Sequence, residues 1–301
     1  MKCFFHSADL DGHCSGAIVK KRFPECEMIG YNYGDPFPWG KLVPGETVYM
    51  VDVCLEPWLE TMPRLNQHNN LVWIDHHKSS IADHDAWSIE AEESIAGTRA
   101  VGVAACMLTW QELYASNTVP PAVVLLSAYD VWDNLDQTYW YQCVLPFQYR
   151  MRVEETDPAR SQSLDPWSVF LGRLAPMDQF VREGHQILKY QSQLNAKIAA
   201  ACAFETDLDG LRCIAINQAL GNSLYFDSVY DPARHDVMLA FSWRANGSWS
   251  VSLYCDKPGI DISIVCKARG GGGHEGAAGF VCAELPFELK EHLHLGLAVA
   301  R

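Results

Sequence analysis

The residues with the most chemical potential lie in four short segments. His6, Asp9 and Asp11 share the first. Asp52 follows the apolar run Thr47–Val51, and Asp75-His76-His77 follows Leu71–Ile74. Asp130 and Asp133 lie in the segment Ser127–Asn134. A single aspartate at a strand end is usually a turn former, and two adjacent histidines prove little. Convergence is a stronger sign, because carboxylates gathered at one edge repel one another unless cations neutralise them. Carboxylate oxygens with a few imidazoles and no thiolate suit Mn²⁺, with Mg²⁺, Fe²⁺ and Co²⁺ also allowed. The ligands are too many for one six-coordinate ion and suit two ions that share a carboxylate. Cys14 and Cys54 lie close to these residues in sequence but read as packing residues.

A second signal is the segment Arg269 to Phe280, which holds Gly270, Gly271, Gly272 and Gly273, then His274, and ends Ala277-Ala278-Gly279-Phe280. Consecutive glycines are entropically costly. They are expected to bring backbone N–H groups close to a phosphate, with His274 adding a hydrogen bond or charge and Arg269 a phosphate contact. A flexible linker is the plainer alternative, but the packed-looking run after it weakens that reading. A dinucleotide fingerprint is matched in spacing only, since the required following helix and acidic residue are missing.

These residues need elements to hold them. Lys2–Phe5, Met28–Tyr33, Thr47–Val51 and Leu71–Ile74 read as strands. Cys14–Arg22, Glu56–His68, Gly97–Tyr114 and Pro121–Tyr129 read as helices. Strands alternating with helices imply a parallel sheet, and ligands bind such sheets at the carboxyl ends of the strands. His6, Asp52 and Asp75 all fall there. Pro176–Ala203 reads as a long connecting helix. Strand-like runs at Leu211–Asn217, Asp236–Trp243 and Ser248–Cys255 follow. The expectation is an α/β chain: a parallel-sheet domain over 1–175, a connecting helix over 176–203 and a smaller α/β domain over 204–301. Residues 134–170 show no assignable period. Their aromatics, Tyr139, Trp140, Tyr141, Phe147 and Tyr149 among them, could stack bases, although core packing is the commoner use.

Composition narrows the partners. The chain has 301 residues, 49% apolar and 20% charged, an ordinary globular balance. The net charge is −14, from 37 acidic and 23 basic residues. This disfavours a protein that tracks long nucleic acid through phosphate contacts. No apolar run is long enough to span a bilayer, and charge arrives too early for a secretory leader. Eleven scattered cysteines without a CxxC pair read as free thiols in a reducing cytoplasm, with no structural zinc.

The ordered set His6-x-x-Asp9-x-Asp11-Gly12, Asp52, Asp75-His76-His77 and Asp130 resembles the DHH phosphoesterase superfamily. Gly270–Phe280 resembles the signature of the DHH-associated C-terminal domain. Together they cover nearly the whole chain. The resemblance implies one metal on His6, Asp9 and Asp52, and a second on Asp11, Asp52, His76 and Asp130. It also implies that Asp75 orients His76 and that His77 faces the scissile phosphate. Arg269, Gly271, Gly272, Gly273 and His274 would bind substrate, with the active site in the cleft between domains. Two residues, Ser7 and Ala8, separate His6 from Asp9, where several family members have three. The nearest counterpart of the family's serine-containing element is Gly97-Thr98-Arg99.

The implied activity is Mn²⁺-dependent hydrolysis of short linear RNA, above all diribonucleotides such as pGpG, to mononucleotides. The alternatives are a phosphatase of 3′-phosphoadenosine 5′-phosphate, a cyclic dinucleotide phosphodiesterase, and a non-catalytic nucleotide-binding module. Long nucleic acid and membrane are not expected partners. The oligomeric state stays open, a homodimer included.

Overall fold

The N-terminal sheet is built from four five-residue strands: β1 (Lys2–His6), β2 (Glu27–Tyr31), β3 (Thr47–Val51) and β4 (Asn70–Ile74). Their order is β2-β1-β3-β4 and every pairing is parallel. Alternation explains why β1 and β3 read as almost continuous apolar runs. Cys3, Phe5, Tyr49, Val51 and Ile74 pack on one face with Val19 and Leu108. Phe4, Val48, Met50, Leu71 and Trp73 pack on the other with Trp58, Met62 and Leu65. A sheet covered on both faces leaves its strand ends as the place to display polar side chains.

The computed structural model describes residues 1–115, 118–160, 166–172, 175–219 and 222–289. The chain divides into two units, Met1–Leu188 and Lys189–Arg301. In the first unit the helices are α1 (Leu10–Arg22), α2 (Trp58–His68), α3 (Lys78–Ala91), α4 (Ala105–Tyr114) and α5 (Pro121–Asp130). Next, α6 (Gln137–Tyr139) passes through a π-helical turn (Trp140–Val144) into α7 (Leu145–Met151), and α8 covers Pro166–Phe170. Trp140, Phe147 and Tyr149 are buried, whereas Tyr139 and Tyr141 are exposed. Most of the aromatics offered for stacking thus serve the core. Helix α9 (Met177–Cys202) spans the stretch expected to connect the domains, and the unit boundary falls inside it.

The second unit carries a six-stranded mixed sheet of order β5-β6-β7-β8-β10-β9. Its strands are β5 (Ala203–Leu208), β6 (Leu211–Asn217), β7 (Val237–Trp243), β8 (Trp249–Tyr254), β9 (Gly272–His274) and β10 (Ala277–Cys282). Only β6 and β7 pair in parallel. Helix α10 (Ile262–Lys267) contributes Ile262 and Cys266 to the core on one face. The other face packs Ile214, Ile216, Met238 and Ala240 with Ala199 of α9. All eleven cysteines are free thiols. Among the described residues, no helix is long and apolar enough to cross a membrane.

The join between β1 and α1 is the tightest point near the sheet's edge. A Cβ on Gly12 would lie 2.1 Å from the carbonyl oxygen of His6. The first turn of α1 therefore passes against the strand end only because residue 12 has no side chain. Gly12→Ala is expected to destabilise the protein by about 1–3 kcal/mol, the usual cost of overpacking. Equilibrium urea unfolding checks this, and an unchanged midpoint would refute the close-approach argument.

Candidate metal centre

Each strand end delivers one group. β1 ends at His6, and Asp9 caps α1 by accepting the Gly12 N–H on Oδ1 at 2.9 Å. The other oxygen of Asp9 lies 2.8 Å from His6 Nδ1, so the short spacing between them still brings them together. Asp52 follows β3 with φ of +60°, in the left-handed region that aspartate tolerates better than most residues. Its carboxylate is turned inward and is only 1% exposed. Asp52 Oδ2 lies 3.5 Å from His6 Nδ1, while Oδ1 lies 3.3 Å from His76 Nε2. The same His76 nitrogen is 3.5 Å from Asp130 Oδ2 and 3.9 Å from Asp11 Oδ2.

Among the sets of potential ligand atoms that lie within 4.8 Å of one another are His6, Asp9 and Asp52, and Asp11, His76 and Asp130. Asp52 touches both, one oxygen to each. His6 Nδ1, Asp52 Oδ1 and Asp130 Oδ2 are buried yet make no hydrogen bond, despite these near neighbours. Ligands spaced around an ion look like this: at metal–oxygen distances of about 2.1 Å, adjacent ligands of an octahedral ion lie about 3 Å apart. The donor set therefore fits divalent cations. Among the described residues, no thiol joins either set, and Asp133 is exposed outside them.

The titration of these groups follows from crowding. Burial works against charge on His6, but Asp52 and Asp9 outweigh it and raise its pKa to about 10. The same contest, with Asp52 and Asp11 as the acids, raises His76 to about 9. Burial and the neighbouring charge of Asp52 raise Asp11 to about 7. Asp130 is pushed well above the usual carboxylate range by burial, then by Asp11 and Asp52. Asp52 moves the other way: burial opposes its charge, but the adjacent imidazoles of His6 and His76 hold it below that range. Asp52 is thus the carboxylate that stays ionised.

Asp11 also has a scaffold role. Its two oxygens accept the N–H groups of Ala105 and Cys106 at 2.8 and 2.9 Å. Helix α4 has no side-chain cap of its own, so a residue of α1 satisfies its first turn.

Asp75 holds the last ring of its triplet. Its Oδ1 accepts the His77 ring Nδ1–H at 2.6 Å, along with the backbone N–H groups of His76 at 2.6 Å and His77 at 3.1 Å. The imidazole held by this bond is that of His77. Burial opposes charge on His77, but Asp75 overcomes it and raises the pKa to about 9. Gly97-Thr98-Arg99 runs beside β4, with bridges Val72 to Ala96 and Asp75 to Arg99. Sequence reading missed Tyr33, just beyond β2. Its ring stands edge-on to both His6 and His77, at centroid distances of 5.9 and 6.1 Å, and is 42% exposed. The available signal was its place after a strand at the sheet's carboxyl edge.

In the second unit the glycine cluster is a strand rather than an open loop. Gly272–His274 pairs antiparallel with β10. A Cβ on Gly271 would meet the Gly279 oxygen at 2.1 Å, and one on Gly273 the Ala277 oxygen at 2.5 Å. Close strand approach thus accounts for these two glycines. Arg269, expected to contact phosphate, instead commits its guanidinium to Asp209 at 2.7 and 2.8 Å and lies over the Phe280 ring.

No protein-family model matches the chain, and no curated protein does. Solved structures do. RecJ from Thermus thermophilus, in complex with Mn²⁺, matches with a TM-score of 0.50 at 12% identity, covering 93% of this chain and 49% of that one. The chain thus spans about half the length of that protein. PggH, a pGpG-specific phosphodiesterase from Vibrio, aligns with a TM-score of 0.49 at 14% identity, covering 94% of this chain and 93% of that one. An uncharacterized Helicobacter pylori protein aligns at 0.42 and 15% identity over 95% and 94% of the two chains. The class defined here is a two-unit α/β fold with one parallel and one mixed sheet, shared with RecJ. The expected α/β fold with a parallel-sheet domain is borne out.

Metal binding at this cluster must displace protons, because ligating imidazoles are neutral and carboxylates ionised. His76 titrates at about 9 and Asp11 at about 7 in the metal-free protein. With His6 at about 10 as well, binding is expected to release protons at neutral pH and to weaken as pH falls from about 10 through about 7. Calorimetric Mn²⁺ titrations in buffers of different ionisation enthalpy measure both. Binding without proton release would show that the ion sits elsewhere.

Proposed function

We infer that the chain is a metal-dependent phosphoesterase acting on short linear RNA, with diribonucleotides such as pGpG as the first substrate class. The observation that carries the reading is Asp52: one buried carboxylate offers Oδ2 to the His6 group and Oδ1 to the His76 group. A bridging carboxylate between paired ions has this form. His6, Asp9 and Asp52 would hold one ion, and Asp11, Asp52, His76 and Asp130 the other, with Mn²⁺ favoured by the donor set. Bound ions of this kind would lower the pKa of a water molecule and neutralise charge on a phosphoryl group.

The chain's own residues supply the rest. In this reading His77, held by Asp75 through Nδ1 and raised by that carboxylate to a pKa of about 9, would donate its second N–H to a phosphoryl or leaving oxygen. Fixing one nitrogen decides which way the other points. Gly271, Gly272, Gly273 and His274, with Arg269 if released from Asp209, form the substrate-binding segment in this reading. The charge of −14 supports short substrates, since a chain with this acidic excess offers little net attraction to a long phosphate backbone.

Purified protein with Mn²⁺ is expected to convert a diribonucleotide to mononucleotides and to leave a long single strand nearly intact. Product chromatography decides this. Rapid loss of the long strand would overturn the length assignment, and faster phosphate release from 3′-phosphoadenosine 5′-phosphate would replace the substrate. In the same assay Asp52→Ala and His76→Ala are each expected to lower kcat/KM by at least ~10³, since each removes a proposed ligand. Circular dichroism should show the fold retained. Near-normal turnover in Asp52→Ala would defeat the bridging role.

A further inference from the structure

Asp75 is fully buried beneath the site, at 0% exposure. A buried carboxylate is stable only when donors surround it. Oδ1 takes three, all from His76 and His77. Oδ2 takes the indole N–H of Trp73 at 3.0 Å. Trp73 precedes Asp75 by two residues, and side chains two apart on a strand share a face. The indole is itself anchored: its N–H also reaches the Val53 carbonyl at 3.2 Å. Its ring packs against Trp58 and His84 at centroid distances of 5.7 Å each. The Arg99 guanidinium lies 5.2 Å from the ring, and Arg99 Nη1 donates to the Trp73 carbonyl at 2.9 Å.

We propose that Trp73 is a positioning residue for His77, acting through Asp75. A carboxylate has two equivalent oxygens and can turn about its last bond. The indole N–H pins Oδ2, which fixes the carboxylate plane and so holds Oδ1 on His77 Nδ1. The imidazole then keeps one ring orientation, and its second nitrogen keeps one direction. Trp58 provides an internal control. It is buried in the same aromatic cluster, but its Nε1 has no hydrogen-bond partner. Removing an indole N–H at 58 therefore disturbs packing to a similar degree without touching Asp75. The activity readout rests on the phosphoesterase reading; the geometric one does not.

The test compares Trp73→Phe and Trp58→Phe in the full chain. Turnover of a diribonucleotide is measured with Mn²⁺, and the His77 ring nitrogens are observed by long-range ¹H–¹⁵N NMR in the metal-free protein. Trp73→Phe is expected to lower kcat on the order of tenfold, to leave KM unchanged and to shift the His77 resonances. Trp58→Phe should do none of these. Should Trp73→Phe fail to fold, the benzothienyl isostere, in which sulfur replaces the indole N–H, is placed at 73 and should show the same loss. Unchanged kcat and His77 resonances in the folded variant would overturn the proposal, as would equal losses at 73 and 58. If the wild-type protein cleaves no diribonucleotide, the enzymatic reading fails, and the His77 resonances alone decide the role of Trp73.

Discussion

The N-terminal unit is organised around a repulsion. Asp11, Asp52, Asp75 and Asp130 are drawn together where β1, β3 and β4 end, and burial makes each bare charge more costly than it would be in water. Every one is answered differently. Asp11 faces the first turn of α4, Asp75 is ringed by N–H donors, Asp52 lies between two imidazoles, and Asp130 is pushed towards its neutral form. Within this cluster, among the described residues, the atoms left without hydrogen bonds lie on His6, Asp52 and Asp130 and leave room for something beyond the chain. A purely structural cluster would have little reason to leave them so.

Much of this was legible in the sequence because it depends on strand ends. Thr47–Val51 has the bounds expected, and β4 and α2 begin within two residues of theirs. The polar side chains from His6 to Asp130 lie close together, since strand order sets which loops and helix ends meet. Helix α1 starts a turn earlier than its apolar pattern, because Asp9 caps it and the polar residues after Asp9 already lie in it. Other elements lacked a signal. Helix α3 buries only Ser80 and His84, so no apolar stripe marks it. The stretch from Gln137 to Met151 breaks period at its π-helical turn. Strand β9 is glycine and histidine, residues whose pattern suggests a loop, and only its pairing with β10 reveals otherwise.

Side-chain direction was the least readable level. The triplet Asp75-His76-His77 names three polar groups but does not say which ring the carboxylate holds. Tight backbone geometry after β4 puts His77 Nδ1 on Asp75 and sends His76 towards Asp52. Likewise, nothing in the segment around Arg269 announces that Asp209, sixty positions earlier, takes its guanidinium.

The capping of α4 by Asp11 has an evolutionary consequence. Because that carboxylate closes a helix as well as facing the cluster, selection for folding alone is enough to preserve it. Retention of Asp11 is therefore a poor marker of a working enzyme. Asp52, whose Oδ1 accepts no hydrogen bond among the described residues, is under no such folding constraint and would be the more telling position to follow.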